Sequence, residues 1–174
     1  MVTIRHERGG DAGQREALLT RAFGKTRKRK TSERLRQGRP PADGLAFSAV
    51  TNNGRFIGTI RLWDVIAGSA GPALLLGPVA VDCNHRGKGL GAALVRRALN
   101  EARARGAAAV ILVGAVEFYG RFGFTTAATA DLHLPGPVDR ARFLGLELIP
   151  DALDGAEGLV VACARVAAPA AKAA

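Results

Sequence analysis

The sequence predicts an α/β domain of the α+β type, built on a mixed and mostly antiparallel sheet, and three observations carry that reading. Two turn signals, Asn52-Asn53-Gly54 and the Gly- and Pro-containing break at 67–72, divide residues 45–82 into strand-forming runs that follow one another as antiparallel neighbours. The last run passes through a glycine-rich basic turn at 86–91 into an amphipathic segment ending at Gly106, which is strand, loop, helix. Residues 108–113, AAVILV, then form a short apolar strand, parallel to the one before it because a helix connects them.

In chain order, 2–5 (VTIR) is a strand. Asp11, with Gln14 at capping-box spacing, starts a helix whose apolar face is Leu18, Leu19, Ala22 and Phe23, and Gly24 stops it. A second helix is expected within 25–37, ended by Gly38, Pro40 and Pro41. Strands follow at 45–51 and 55–65, with Arg61 and Trp63 on one face of the latter, and a third at 73–82. Gly77-Pro78 interrupts that third strand, and proline, lacking a backbone donor, places an edge or a bulge there. In the helix after the loop, Leu90, Leu94, Val95, Leu99 and Ala102 form the buried stripe, and Arg97–Glu101 and Glu101–Arg105 stand at i,i+4 on the wet face. Residues 127–134 and 158–166 are further strand candidates, and AAPAAKAA at 167–174 reads as a frayed tail, so one domain is expected over 1–166.

With 174 residues and 48% hydrophobic content resting on Ala, Val and Leu, the chain can bury a core. No apolar run approaches the ~20 residues of a membrane span, and the start lacks the apolar centre of a signal peptide, so a cytoplasmic protein is expected. Two cysteines, Cys83 and Cys163, give neither a metal spacing nor a disulfide framework. The net charge of +10 is local: residues 1–40 hold 12 Lys/Arg against 4 Asp/Glu, and the remainder 13 against 11. The run KTRKRK at 25–30, continued by Arg34, Arg36 and Arg39, could attract an acidic acceptor, RNA or a phosphate-bearing ligand, but no aromatic side chains are interleaved with it. A solvated helix face is the favoured reading.

The loop is the most informative stretch. Three glycines and two cations in six residues let a backbone approach an anion closely at the start of a helix, where unpaired N–H groups point outward. Gly87, Gly89 and Ala92 also spell the dinucleotide pattern G-x-G-x-x-A, but the next strand ends in Gly114-Ala115 rather than in an acid. A Walker loop lacks its Lys-Ser/Thr pair, and a tight turn without ligand is the plain alternative.

Arg86, Gly89 and Gly91 spell R-x-x-G-x-G, which resembles the pyrophosphate loop of the GNAT (GCN5-related) N-acetyltransferases. Tyr119, Gly123 and Phe124 match that family's Y-x-x-x-G-F after its fifth strand, and the spelling GTIRLW…LLLGPVAVD…YGRFGF is similar to its YhbS-like branch. The resemblance covers residues 2–125 in order. It implies a sheet whose central parallel pair is splayed at a bulge, helices on both faces, and acetyl-CoA as co-substrate. By the same resemblance the backbone of Val79, Ala80 and Val81 pairs with the pantetheine arm. Arg86, Gly87, Lys88, Gly89, Leu90, Gly91 and Ala92 form the diphosphate site. Tyr119 faces the departing sulfur, and no metal is involved. A small-molecule or protein amine would attack directly through a tetrahedral oxyanion. The asparagine many relatives carry after the fifth strand is missing from 114–117.

No base is evident. Asp64 and Glu117 are candidates by position only, and His85 and His133 have no partner in sequence. A CoA-binding sensor without turnover and a nucleic-acid binder using 25–39 remain as rival functions, and a homodimer is compatible with the sequence.

Overall fold

The computed structural model describes residues 1–163, so the tail at 167–174 and the last positions of the 158–166 candidate lie outside the described residues. Strands β1 (Val2–His6), β2 (Ala46–Thr51), β3 (Phe56–Ala67), β4 (Pro72–Val81), β5 (Ala109–Val113) and β7 (Phe143–Glu147) lie side by side in the order β1-β2-β3-β4-β5-β7. β4–β5 is the parallel pair among these neighbours. β8 (Glu157–Ala162) pairs with residues 65–67 of β3 and, in parallel, with the three-residue β6 (Asp131–His133).

The proline expectation at β4 holds. Ile60 pairs with Val79 but Leu62 with Leu76, so β4 carries one extra residue at Gly77-Pro78, whose peptide bond is cis. The insertion reverses the inside–outside phase. Leu74 and Leu76 pack into the same core as Val79 and Val81, whereas Leu75 and Ala80 belong to other clusters. The indole Nε1 of Trp63 donates to the Gly77 carbonyl at 2.6 Å and so fixes the bulge from β3.

Helix α2 (Leu90–Ala104) covers one face, with Leu94, Val95, Ala98, Leu99 and Ala102 in the main core beside Phe47, Ile60 and Leu62. Helix α1 (Ala12–Phe23) places Leu18 and Leu19 with Phe56 and Ala80 in a separate cluster. The buried stripe of α2 is close to the expected one, except that Leu90 is only half-buried. Glu101 pairs with Arg105 at 2.9 Å, while Arg97 lies 5.1 Å over the Phe47 ring instead of pairing with Glu101.

Four expectations need correction. Asp11 occupies the N-cap position of α1, but its carboxylate makes no cap to that helix. A bidentate pair with Arg5 at 2.7 and 2.9 Å, the Arg8 N–H and the Ser48 hydroxyl take its oxygens instead, since a planar guanidinium is the stronger partner. The second helix is two 3-10 turns, Lys25–Arg29 and Thr31–Leu35, and Phe23 is 39% exposed rather than buried with α1's apolar face. The 127–134 candidate is a strand only at β6, preceded by a 3-10 turn, Ala127–Thr129, and β6 pairs with β8 in parallel. Finally, β7 went unread. Its Gly145 breaks the strand pattern, yet a Cβ there would stand 3.0 Å from both Leu153 and Thr129, so close packing demands the glycine.

Candidate functional site

β4 and β5 pair only at Leu74–Val110 and Leu75–Ile111. Beyond the bulge, residues 79–81 remain bonded to 58–60 of β3, and no strand among the described residues covers their other edge. The two strands therefore diverge from Gly77 onward. A cavity of about 650 Å³ opens in the gap, with Leu76, Gly77, Pro78 and Val79 on one side and Val113, Gly114 and Ala115 on the other.

β4 leads into the glycine loop. Asp82 is buried, and its carboxylate accepts from the Asn84 N–H at 3.2 Å, with His85 Nδ1 at 3.3 Å and Arg55 at 3.4 Å. Burial alone would raise its pKa, but the His85 and Asn84 contacts and the Arg55 charge together hold it below the ordinary carboxylate value. His85 thus has a partner that sequence spacing did not reveal. Gly87 and Gly89 have φ of 72° and 77°, and a Cβ at either would meet nothing within 4 Å, so glycine serves the left-handed backbone there and not a steric gap. Gly89 is the N-cap of α2, and the first helical bond runs from Ala93 N–H to the Gly89 carbonyl. The N–H groups of Leu90, Gly91 and Ala92 accordingly have no acceptor within the helix, at the positive end of a 15-residue dipole. Arg86 donates to the Val81 carbonyl at 3.2 Å and Lys88 to the Asn84 carbonyl at 3.2 Å. Both cations are held by neutral acceptors, and neither has an ion pair among the described residues. This donor set suits a diphosphate.

Of the predicted site residues, Val79 and Tyr119 line the cavity, whereas Ala80, Val81 and 86–92 are not on its lining. Tyr119 ends the short helix α3 (Val116–Tyr119), and its ring stands edge-on to Phe118 at 4.9 Å and to Phe124 at 5.9 Å. It presses on the backbone of Gly114, where any Cβ would overlap it. Core packing and cavity lining are both true of this side chain. Its hydroxyl has no hydrogen-bond partner among the described residues. Burial raises its pKa to about 12 against the opposing pull of Arg36 and Arg142.

The opposite wall comes from the basic stretch and from 137–142, two segments far apart in sequence. Thr31 Oγ1 donates to the Pro137 carbonyl and Arg34 to the Pro135 carbonyl, both at 2.5 Å, stapling the segments together. The stretch is therefore not simply a solvated helix face. Lys25, Lys28 and Arg29 are exposed, but Arg27 turns inward to Glu16, and the Arg36 side chain is only 11% exposed. Burial lowers the Arg36 pKa to about 10, against the charge of Glu33. Glu33 and Asp139 are the carboxylates on the lining. Asp64 and Glu117 are not on it, and nor are His85 and His133. Sequence reading missed Glu33 and Arg142, and it named Arg36 only as part of the basic run without placing it on this wall. The available signal was the i,i+3 pair Glu33–Arg36, which says that one cation of the run is not free to face water. No group of His, Cys, Asp and Glu among the described residues could hold a metal ion, and no helix there is long and apolar enough to cross a membrane.

Comparison with known proteins gives consistent results. Residues 3–127 match a family model described as an acetyltransferase (GNAT) domain. The chain is 35% identical over 163 residues to the uncharacterized N-acetyltransferase YhbS of Escherichia coli K12, covering 91% of this chain and 95% of that protein. The crystal structure of E. coli YhbS in complex with CoA superposes with a TM-score of 0.78 at 33% identity, over 93% of this chain and 89% of that one. A GNAT acetyltransferase from Brucella melitensis in complex with acetyl-CoA gives 0.68 at 29% identity, over 94% and 97%.

Proposed function

We propose, for a chain that belongs to the GNAT family of acetyltransferases, that it moves an acetyl group from acetyl-CoA to an amine. The observation that carries this reading is the continuous path formed by the splayed β4–β5 pair, the unpaired edge at 79–81 and the glycine loop. Arg86, Gly87, Lys88, Gly89, Leu90, Gly91 and Ala92 would hold the diphosphate, and the backbone of Val79, Ala80 and Val81 the pantetheine amides. The thioester supplies an activated acyl carbon, and the rest falls to this chain's own groups.

Tyr119 is the catalytic residue in this reading. With its pKa near 12 it stays protonated throughout the physiological range and acts as a hydrogen-bond donor toward the sulfur. The divergent strands admit the acceptor from the wall carrying Arg36 and Arg142, opposite the coenzyme edge. The acceptor amine belongs to a small molecule or a protein, the working unit spans 1–166 as one domain, and the exposed thiol of Cys83 accords with a cytoplasmic setting.

Calorimetry with CoA and acetyl-CoA, together with detection of free thiol during incubation with amines, tests the proposal. Binding that is lost in Gly89→Asp, with thiol release dependent on both substrates, is expected. An absence of binding heat at millimolar coenzyme would refute it.

A further inference from the structure

Arg36 is out of place unless something else enters the cavity. A guanidinium carries five N–H donors and is costly to bury without acceptors. Yet this one makes no side-chain hydrogen bond among the described residues, its Nε is sealed from solvent without a partner, and its nearest carboxylate, on Glu33, stands at 3.6 Å. Its Nη2 lies against Gly77, 3.2 Å from where a Cβ would be, so the group sits at the point where β4 and β5 part. Around it the cavity carries Arg27, Arg29, Lys30, Arg34 and Arg142 against Glu33 and Asp139. Arg27 is paired with Glu16, and Asp139 is committed to the Ala141 N–H at 3.0 Å, while Arg142 has no ion pair among the described residues. The lining is cationic in excess, and its deepest cation has one distant carboxylate, Glu33 at 3.6 Å, and no hydrogen-bond acceptor among the described residues.

We propose that Arg36 is the anion anchor of the acceptor site, and that the acceptor is a small amine bearing a carboxylate or phosphate oxyanion. The inference rests on the acetyltransferase reading and narrows it. A planar fork of donors fits two oxygens of one oxyanion, and the cavity volume limits the acceptor to a small molecule or the end of a chain. The same cations also disfavour an ammonium ion near the strand divergence, which favours the neutral, nucleophilic amine there without a dedicated carboxylate base. A polycationic acceptor is excluded by like-charge repulsion.

The test compares matched amines in the thiol-release assay at constant ionic strength: β-alanine against β-alaninamide for a carboxylate, O-phosphoethanolamine against ethanolamine for a phosphate, and spermidine as a cationic probe. An anionic group raises the pKa of its own amine, so any preference for the anionic member must come from the protein. The expected result is a kcat/KM at least roughly ten-fold higher for one anionic member than for its neutral partner. In Arg36→Met that ratio should fall toward unity with acetyl-CoA affinity within about twofold of wild type, while Arg36→Lys retains part of the preference through its charge. Arg142→Ala, at an exposed position, reports a smaller loss in a fold that is not at risk. Equal use of both members of each pair, preference for spermidine, or no turnover of any anionic amine by enzyme that binds acetyl-CoA would overturn the proposal. Failure to bind acetyl-CoA would instead sink the broader assignment.

Discussion

Replacing Tyr119 with phenylalanine separates chemistry from packing. The ring contacts with Phe118 and Phe124 survive the change, and the hydroxyl that is lost has no protein partner among the described residues, so the midpoint of thermal unfolding should move little. The effect on rate is set by what the hydroxyl can do. Against a thiol pKa of ~8.5, a phenol at about 12 would transfer its proton uphill by ~5 kcal/mol. In the proposed role complete transfer is therefore not its contribution, and a hydrogen bond to developing thiolate would be. Such a bond to a charged group is worth about 1.5–3 kcal/mol, or roughly 10- to 150-fold in kcat. Thiol release at saturating acetyl-CoA, measured across pH 6–10, is the assay. Tyr119→Phe should lower the curve by a constant factor without removing a limb, because the phenol does not titrate in that range. An unchanged kcat, or a wild-type limb below pH 10 that vanishes in the variant, would refute the reasoning.

Gly89→Ala forces a Cβ into the left-handed region at a cost of about 1 kcal/mol, and it should weaken CoA binding several-fold by calorimetry, whereas Gly89→Asn, tolerant of that backbone, should retain more affinity than Ala. Gly114→Ala displaces the Tyr119 ring, so kcat should fall while the Kd for CoA stays near wild type. Asp11→Asn breaks a largely buried pair and should cost about 2–3 kcal/mol in urea unfolding at pH 7. Because the bond from Arg5 holds the Asp11 carboxyl well below the usual range, its stabilisation is complete above the unfolded pKa of ~3.9 and disappears as pH falls below it. The gap between wild type and Asp11→Asn should accordingly narrow between pH 5 and pH 2, and a constant gap would contradict the assignment.

Local signals account for what was legible in the sequence. Gly77-Pro78, Asn53-Gly54 and the 86–91 loop are backbone statements, since each requires a conformation that few residues adopt, and the β4 bulge and the start of α2 followed from them. The proposed coenzyme side lies within one contiguous stretch, 79–119, and could be read as a unit. The acceptor wall could not. It joins 23–36 to 137–142 through contacts between side chains and carbonyls such as Arg34 to Pro135, and no periodicity encodes a pairing across a hundred residues. Asp11 shows the same limit, because a capping-box spacing does not reveal that Arg5 and Ser48 will compete for the carboxylate. β7 was hidden because Gly145 answers to neighbours on other elements.

The staple between the basic turns and the 135–137 carbonyls makes one wall of the cavity a composite of an early and a late segment of the chain. Residues 1–127 include the glycine loop and the diverging strands but not the carbonyls that close over Arg34 and Thr31. In the proposed reading, changes within 135–142 should therefore alter the choice of recipient before they alter the grip on the nucleotide.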